Sequence, residues 1–277
     1  MSENKKSDEY RSLKEEIKRL RKSLSELTPP LEALLKRRGF KIYKKEPSDD
    51  LLIPPDKFID GYYEMLKKYS FRLFLREVIK HQAFFRLEDI VRYATSEVTR
   101  DYLEYMRIIG LVEKIKDGFR LTVCPIKSFG ETLEWFMAEV FKREFSAEAI
   151  WGIRSKRPKI GGDYDLIAKV DGSILYMEVK SSPPKQIYQN EIAAFFDRVS
   201  DLLPELSVFF VDTELRMKDK IVLMFDEELK KRHSKPPGIL RIEKELFHIM
   251  NKIFIVNAKD SITANIERVL TWYFRKS

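Results

Sequence analysis

The dipeptide Asp171-Gly172, set between Tyr164–Val170 and Ser173–Lys180, constrains this chain more than any other stretch. Both flanks are apolar and β-prone, and Asp-Gly suits a two-residue turn in which both residues take positive φ. Such a turn makes residue 170 face 173, 169 face 174, and so on down the hairpin. Asp165 then stands opposite Glu178, and Asp163 opposite Lys180. Opposed side chains share a face with Cβ atoms about 5 Å apart, so two carboxylates there repel unless a cation lies between them. Mg²⁺ fits, because it takes one or two carboxylates and keeps several waters; Mn²⁺ is a substitute. The period of two places Lys180 on the face of Glu178 and turns Val179 to the core, with the Val179 carbonyl as a further metal ligand. Glu-x-Lys also occurs at Glu3, Glu16 and Glu228, in a tail or in helical-looking stretches. Only Glu178 closes an apolar strand paired with an Asp-bearing one.

The neighbouring pattern is α/β. A helix is expected over 128–145, strands over 149–154, 164–170 and 174–180, a helix over about 186–203, and a strand buried on both faces at Ser207–Asp212. Ile221–Phe225 and Ile253–Val256 read as additional strands. Asp260 or Ser261 caps a last amphipathic helix with Ile262, Ile266, Val269 and Tyr273 inward. On the helix over 128–145, Glu134 falls on the edge of the apolar stripe Phe129, Leu133, Phe136, Met137, Val140 and Phe141, whereas Glu131 and Glu139 face away. A carboxylate half-buried among aromatics needs a partner. Glu144, in mid-stripe at the helix end, is its rival.

Asp165 with Glu178-Val179-Lys180 resembles the signature of the PD-(D/E)xK (restriction-endonuclease-like) nuclease superfamily. The Glu-Val-Lys-Ser run and the spacing are most similar to archaeal Holliday-junction resolvases and Mrr-like endonucleases, over about 128–213. The resemblance implies a mixed sheet in an α-β-β-β-α-β core, with Asp165, Glu178, Val179 and Glu134 around Mg²⁺. It also implies that Lys180 positions or activates the attacking water, and hence metal-assisted phosphodiester hydrolysis. Gly130-x-x-x-Glu134 resembles the family's helix, and Gln186 and Gln189 are implied supports. The function expected on this basis is a DNA endonuclease of repair, recombination or defence. A catalytically inactive nuclease-fold module for DNA binding or assembly, and an RNA-directed nuclease, are the alternatives.

Ahead of this unit the sequence divides at 1–28, 29–65, 66–125 and 126–277. Residues 8–28 form a polar helix whose Leu13, Ile17, Leu20, Leu24 and Leu27 make a short coiled-coil stripe. Two to three heptads are marginal alone, so a helix packed on its own protein and a homodimer zipper are both open. Residues 29–65 read as linker and helix, with loops at Glu46–Asp50 and Pro54-Pro55. Helical patterns at 71–82 and 87–95, a third from the cap Ser96 to the stop Gly110, and a hairpin turning at Asp117-Gly118 resemble a winged helix-turn-helix domain. Its third helix would present Thr99, Arg100 and Arg107 to DNA, although Glu97, Asp101 and Glu104 lie on the same helix. The unit is expected to touch DNA or protein.

The net charge of +8, from 52 Lys and Arg against 44 Asp and Glu, suits a polyanionic partner. A basic loop of Arg154, Lys156, Arg157 and Lys159, with Lys185, is the expected phosphate grip. Cys124 stands alone, which rules out an internal disulfide or a cysteine zinc cluster. No apolar run approaches the ~20 residues of a membrane span, and the polar N-terminus leads to a cytoplasmic expectation. His81, His233 and His248 are scattered and read as structural. No Gly-x-x-x-x-Gly-Lys loop is present, so no ATPase motor is expected.

Overall fold

The computed structural model describes residues 12–23, 29–123, 125–156 and 163–276. Residues 12–23 form helix α1, and its Leu13, Ile17 and Leu20 are all exposed. Leu24 and Leu27 lie outside the described residues. The stretch read as linker and helix carries more structure than expected: α2 (Leu31–Arg37), β1 (Ile42–Lys44) and α3 (Ile59–Leu66). A three-residue strand with the burial pattern of β1 leaves no periodicity to read, and only its partner makes it visible.

Then follow α4 (Tyr69–Lys80), a single turn α5 (Leu87–Ile90), α6 (Ser96–Ile108) and the hairpin β2 (Val112–Ile115) and β3 (Gly118–Leu121). Thr95, not Ser96, caps α6, its side chain accepting from Val98 N. Gly110, at φ +79, ends the helix as expected. The hairpin turns one residue earlier than expected, because Ile115 pairs with Gly118. Gly118 therefore sits within the strand, where a Cβ would come 2.6 Å from the Phe85 carbonyl oxygen. Its role is close approach to the Phe85 backbone and the Phe84 ring, not the turn.

The remainder runs α7 (Gly130–Glu144), β4 (Glu148–Ser155), β5 (Tyr164–Val170), β6 (Ser173–Lys180), α8 (Gln189–Leu202), β7 (Leu206–Val211), α9 (Leu223–Arg232), β8 (Ile239–Glu243), β9 (Leu246–Ile249), β10 (Ile253–Asn257) and α10 (Ile262–Lys276). From α7 to β7 the order is α-β-β-β-α-β, as expected from sequence. Ile221–Phe225, expected as a strand, is helical, spanning the end of a π-turn and the start of α9. Its apolar residues Ile221 and Phe225 lie four apart and are both buried, a spacing that serves a helix as well as a strand.

Eight strands make one mixed sheet in the order β1-β4-β5-β6-β7-β10-β9-β8. The β4–β5–β6 portion is antiparallel, whereas β6, β7 and β10 run parallel. Alternate residues divide between the faces: Leu175, Met177 and Val179 join the core formed with α3, α4, α7 and α10, while Ile174 and Tyr176 join the core formed with α2, α8 and α9. The first core is continuous from the helices around Phe71 and Tyr102 to Phe136 on α7. Arg72 of α4, fully buried, fastens the same joint, with Nε 3.0 Å from each Asp212 oxygen and Nη1 on the Leu66 carbonyl at 2.6 Å. Among the described residues no helix is long and apolar enough to cross a membrane.

Candidate active site

The β5–β6 hairpin has the register that Asp-Gly dictates, with Val170 facing Ser173 and Leu166 facing Met177. Asp171 and Gly172 both take positive φ, at 48° and 82°. Continuing one step brings Asp165 beside the end of β6, where one of its oxygens accepts from Val179 N at 2.7 Å. Glu178 lies two residues beyond Tyr176 on the same face and is 1% exposed. Lys180 Nζ stands 2.9 Å from Glu178 Oε1 and 3.1 Å from Glu191 on α8. Asp163, expected to face Lys180, instead accepts from Arg154 Nε at 2.8 Å. That exchange follows from register: β5 begins at Tyr164, so Asp163 lies beyond the ladder and swings to the neighbouring strand.

Glu134 enters from α7, on the edge of its buried face. Burial and then the Asp165 carboxylate push it up to about 10. Asp165 is raised to about 7, by burial first and by Glu178 second. Among the described residues Glu134 has neither a hydrogen bond nor an ion pair, so two half-buried carboxyls act on each other without a cation in direct contact. Glu144, the rival, is engaged by Lys67 at 2.7 Å and by the Tyr63 hydroxyl at 2.7 Å. Glu139 is tied to Arg143 at 2.7 Å, but Glu131 does not face away as its helical angle suggested. Burial and Asp50 raise its pKa, and its Oε2 is buried without a hydrogen-bond partner among the described residues. The reason is the 46–50 loop, which folds across the helix: Glu46 N donates to Trp151 O at 2.9 Å, and Asp50 accepts from Lys127 N.

The same loop explains Gly152. It lies in β4 between the Trp151–Leu166 and Ile153–Tyr164 pairs, level with Asp165, at φ +57. A Cβ there would meet Pro47 Cδ at 2.4 Å and come within 3.8 Å of a Glu134 oxygen. A side chain is excluded both by backbone conformation and by the wall of the site.

Three participants escaped the sequence reading. Arg198 on α8 sends Nη2 to Glu178 Oε1 at 2.6 Å and Nε to Tyr176 Oη at 2.7 Å. Tyr176 also donates to Glu178, and Glu191 holds Lys180 as described. A signal existed: Glu191 and Arg198 are seven apart, hence on one side of α8, and border its apolar stripe of Ile192, Phe195 and Phe196. Burial alone would raise Glu178, but Lys180 and Arg198 outweigh it and hold its pKa below the usual value. Lys180 is opposed by burial yet held above its ordinary pKa by Glu178 and Asp165. It is therefore an ammonium donor, suited to orienting a water or a phosphate oxygen and unsuited to taking a proton.

The donor set can be tested against a divalent ion. Among the described residues no three His, Cys, Asp or Glu side chains are grouped as a ready metal cluster. Mg²⁺, however, needs only one or two carboxylates with waters completing its shell, and among the described residues no cation is in ion-pair contact with Asp165 or Glu134, although Lys180 and Arg198 act on Asp165 from further off. Those two residues fit the ion; Glu178, with both oxygens engaged, fits it less well.

The other candidates are dispersed. Arg154 and Lys156 are exposed beside β1, Lys156 Nζ lying 6.0 Å from the ring of Tyr43. Arg157 and Lys159 fall outside the described residues. Lys185 is exposed, and Gln189 is turned to the Met224 carbonyl at 3.0 Å, away from the hairpin. On α6, Thr99 is buried and bonds the Thr95 carbonyl, correcting its expected outward placement. Arg100 is exposed, while Arg107 is forked onto Glu104 at 2.8 and 2.6 Å.

The paired acids give a pH prediction. In the metal-free protein both carboxyls keep a proton that the unfolded chain has already lost, so unfolding releases protons. Stability therefore falls as pH rises from the ordinary carboxylate range through about 7 for Asp165 and on towards 10 for Glu134. In EDTA, Glu134→Gln should melt higher than the wild type at pH 8.5 and nearly match it at pH 4.5. Equal differences at the two pH values, measured by thermal unfolding, would contradict this.

No family model matches the chain, and no curated protein matches it. Among solved structures it is similar to Can2 from Sulfobacillus thermosulfidooxidans in complex with cyclic tetra-adenylate, at 14% identity and a TM-score of 0.47, covering 88% of this chain and 60% of that one. It is also similar to protein VC1899 from Vibrio cholerae, at 9% identity and a TM-score of 0.44, covering 67% of this chain and 52% of that one. The chain thus spans less than two thirds of the length of each.

Proposed function

We propose that this protein is a divalent-metal-dependent nuclease of the PD-(D/E)xK type that hydrolyses phosphodiester bonds of DNA. The observation that carries the reading is the convergence of Asp165, Glu178 and Lys180 at the end of one hairpin, with Glu134 from α7 left electrostatically uncompensated beside them. Asp165 and Glu134 would hold Mg²⁺, or Mn²⁺ in its place, and Glu178 and the Val179 carbonyl are the further candidates. The ion would supply charge for the phosphoryl oxygens and a more acidic water. Lys180 donates to the water or phosphate, fixed between Glu178 and Glu191. Arg154, Lys156 and Lys185 are exposed and are the candidates for phosphate contact, with the Tyr43 ring beside Lys156.

A cleavage panel tests this: duplex, branched and single-stranded DNA and RNA, each with Mg²⁺, Mn²⁺ or EDTA. Metal-dependent cleavage of DNA forms is expected. Cleavage of RNA alone would move the substrate class, and no cleavage of any form under any metal would overturn the enzyme reading.

In this reading α4–α6 and the β2–β3 hairpin form a winged helix that grips nucleic acid through α6. Binding should weaken steeply with salt, and Arg100→Ala should reduce the slope of log affinity against log salt by about one. Arg107→Ala should change it less, because Glu104 already occupies that guanidinium. If neither substitution alters affinity or slope in filter-binding titrations, α6 serves protein contacts instead.

A further inference from the structure

Glu178 is the most fully neutralised carboxylate of the site, and its two acidic neighbours are the least. Its Oε1 accepts from Arg198 Nη2 at 2.6 Å and lies 2.9 Å from Lys180 Nζ. Its Oε2 accepts from Arg198 Nε at 3.2 Å and from the Tyr176 hydroxyl. Both oxygens are thus taken, by two cations and a phenol. Asp165, by contrast, accepts from one backbone amide.

Arg198 is itself fixed. It is 9% exposed, comes from the buried side of α8, and its Nε also donates to Tyr176 Oη at 2.7 Å. A guanidinium fork on a carboxylate is the strong, geometrically matched form of such a pair. A divalent ion arriving at Asp165 and Glu134 would meet Glu178 with this fork already on it. It could recruit that carboxylate only by displacing the guanidinium, since both need the same lone pairs and repel one another. Lys180 would keep a partner during that exchange, because Glu191 holds it independently at 3.1 Å.

We infer that Arg198 is a positioning residue that competes with the divalent ion for Glu178 and thereby sets the metal affinity of the site. The inference rests on the metal-site reading above. It makes an unusual demand on the sign of an effect. Removing a residue that merely supports a site loosens ligand binding, whereas removing a competitor tightens it.

The test is calorimetric titration of the full chain with Mn²⁺, without nucleic acid. Arg198→Gln should bind Mn²⁺ about tenfold more tightly than the wild type, the scale of a close charge pair. The gain should vanish when Arg198→Gln is combined with Glu178→Gln. Arg198→Lys, which keeps the charge but loses the fork, should tighten binding by a smaller factor, and it stands in if the Gln variant fails to fold by circular dichroism. Unchanged or weaker binding in the folded variants overturns the inference, as does a gain that survives Glu178→Gln. Wild-type binding that Asp165→Asn does not weaken would remove the metal-site reading itself, and this inference with it; binding lost in Asp165→Asn but unimproved in both Arg198 variants removes the inference alone.

Discussion

For the nuclease proposed above, Asp165→Asn should lower metal-dependent cleavage by about a thousandfold or more, with the fold intact. The scale is that of removing a group aimed at charge developing in the transition state. Lys180→Ala should do the same, because Glu178 and Asp165 hold its ammonium charged where a donor is needed. Glu178→Gln should be comparably inactive, but for a second reason. It leaves Arg198 facing a neutral amide and frees Lys180 to pair with Glu191 alone. Glu134→Gln should lose more activity than Glu139→Gln, whose carboxylate is spent on Arg143. Glu131→Gln should fall between them, since the 46–50 loop turns Glu131 inward. Single-turnover cleavage of the preferred substrate at saturating Mg²⁺ is the measurement. Near-normal rates in any of the first three variants would mean that the catalytic centre lies elsewhere.

Arg72→Met should destabilise the protein, though by less than the about 3–5 kcal/mol of a buried charge left wholly unpartnered, because Arg76 stays on Asp212. Asp212 would remain buried at the end of β7 with Arg76 still on it, and the Leu66 and Lys67 carbonyls would lose their Arg72 donor. The lesion should also reach the candidate site, because Asp212 N donates to the Lys180 carbonyl at 2.8 Å. Arg72→Met combined with Asp212→Leu should recover much of the loss, since an apolar pair of similar volume is often as stable as a buried ion pair. Urea titration of the two variants decides this. If Arg72→Met alone melts like the wild type, the contact between α4 and the sheet is held by Phe71, Phe74 and their aromatic partners rather than by charge.

Local chemistry determined a good deal of this protein. Asp171-Gly172 set the register of β5 against β6 because two residues of positive φ admit only one tight reversal, and that register carried Asp165 to the end of β6. The period of two placed Tyr176, Glu178 and Lys180 together, and the 3.6-residue period put Glu134 on the inner edge of α7. Gly110 stopped α6 for the same reason of backbone freedom. Other features depended on what packs against what. β1 is too short to show a pattern and exists through pairing with β4, and Ile221–Phe225 has a spacing that two structures share. Gly118 left the turn because Phe85 needed the room. Glu131 turned inward because a loop eighty residues away in sequence crosses its helix. Above all, Arg198 meets Glu178 across 20 residues, and Arg72 meets Asp212 across 140. Sequence periodicity shows which face a charge occupies; only the packed chain decides which opposite charge is buried against it, since desolvation makes the pairing costly to omit and nothing local specifies the partner.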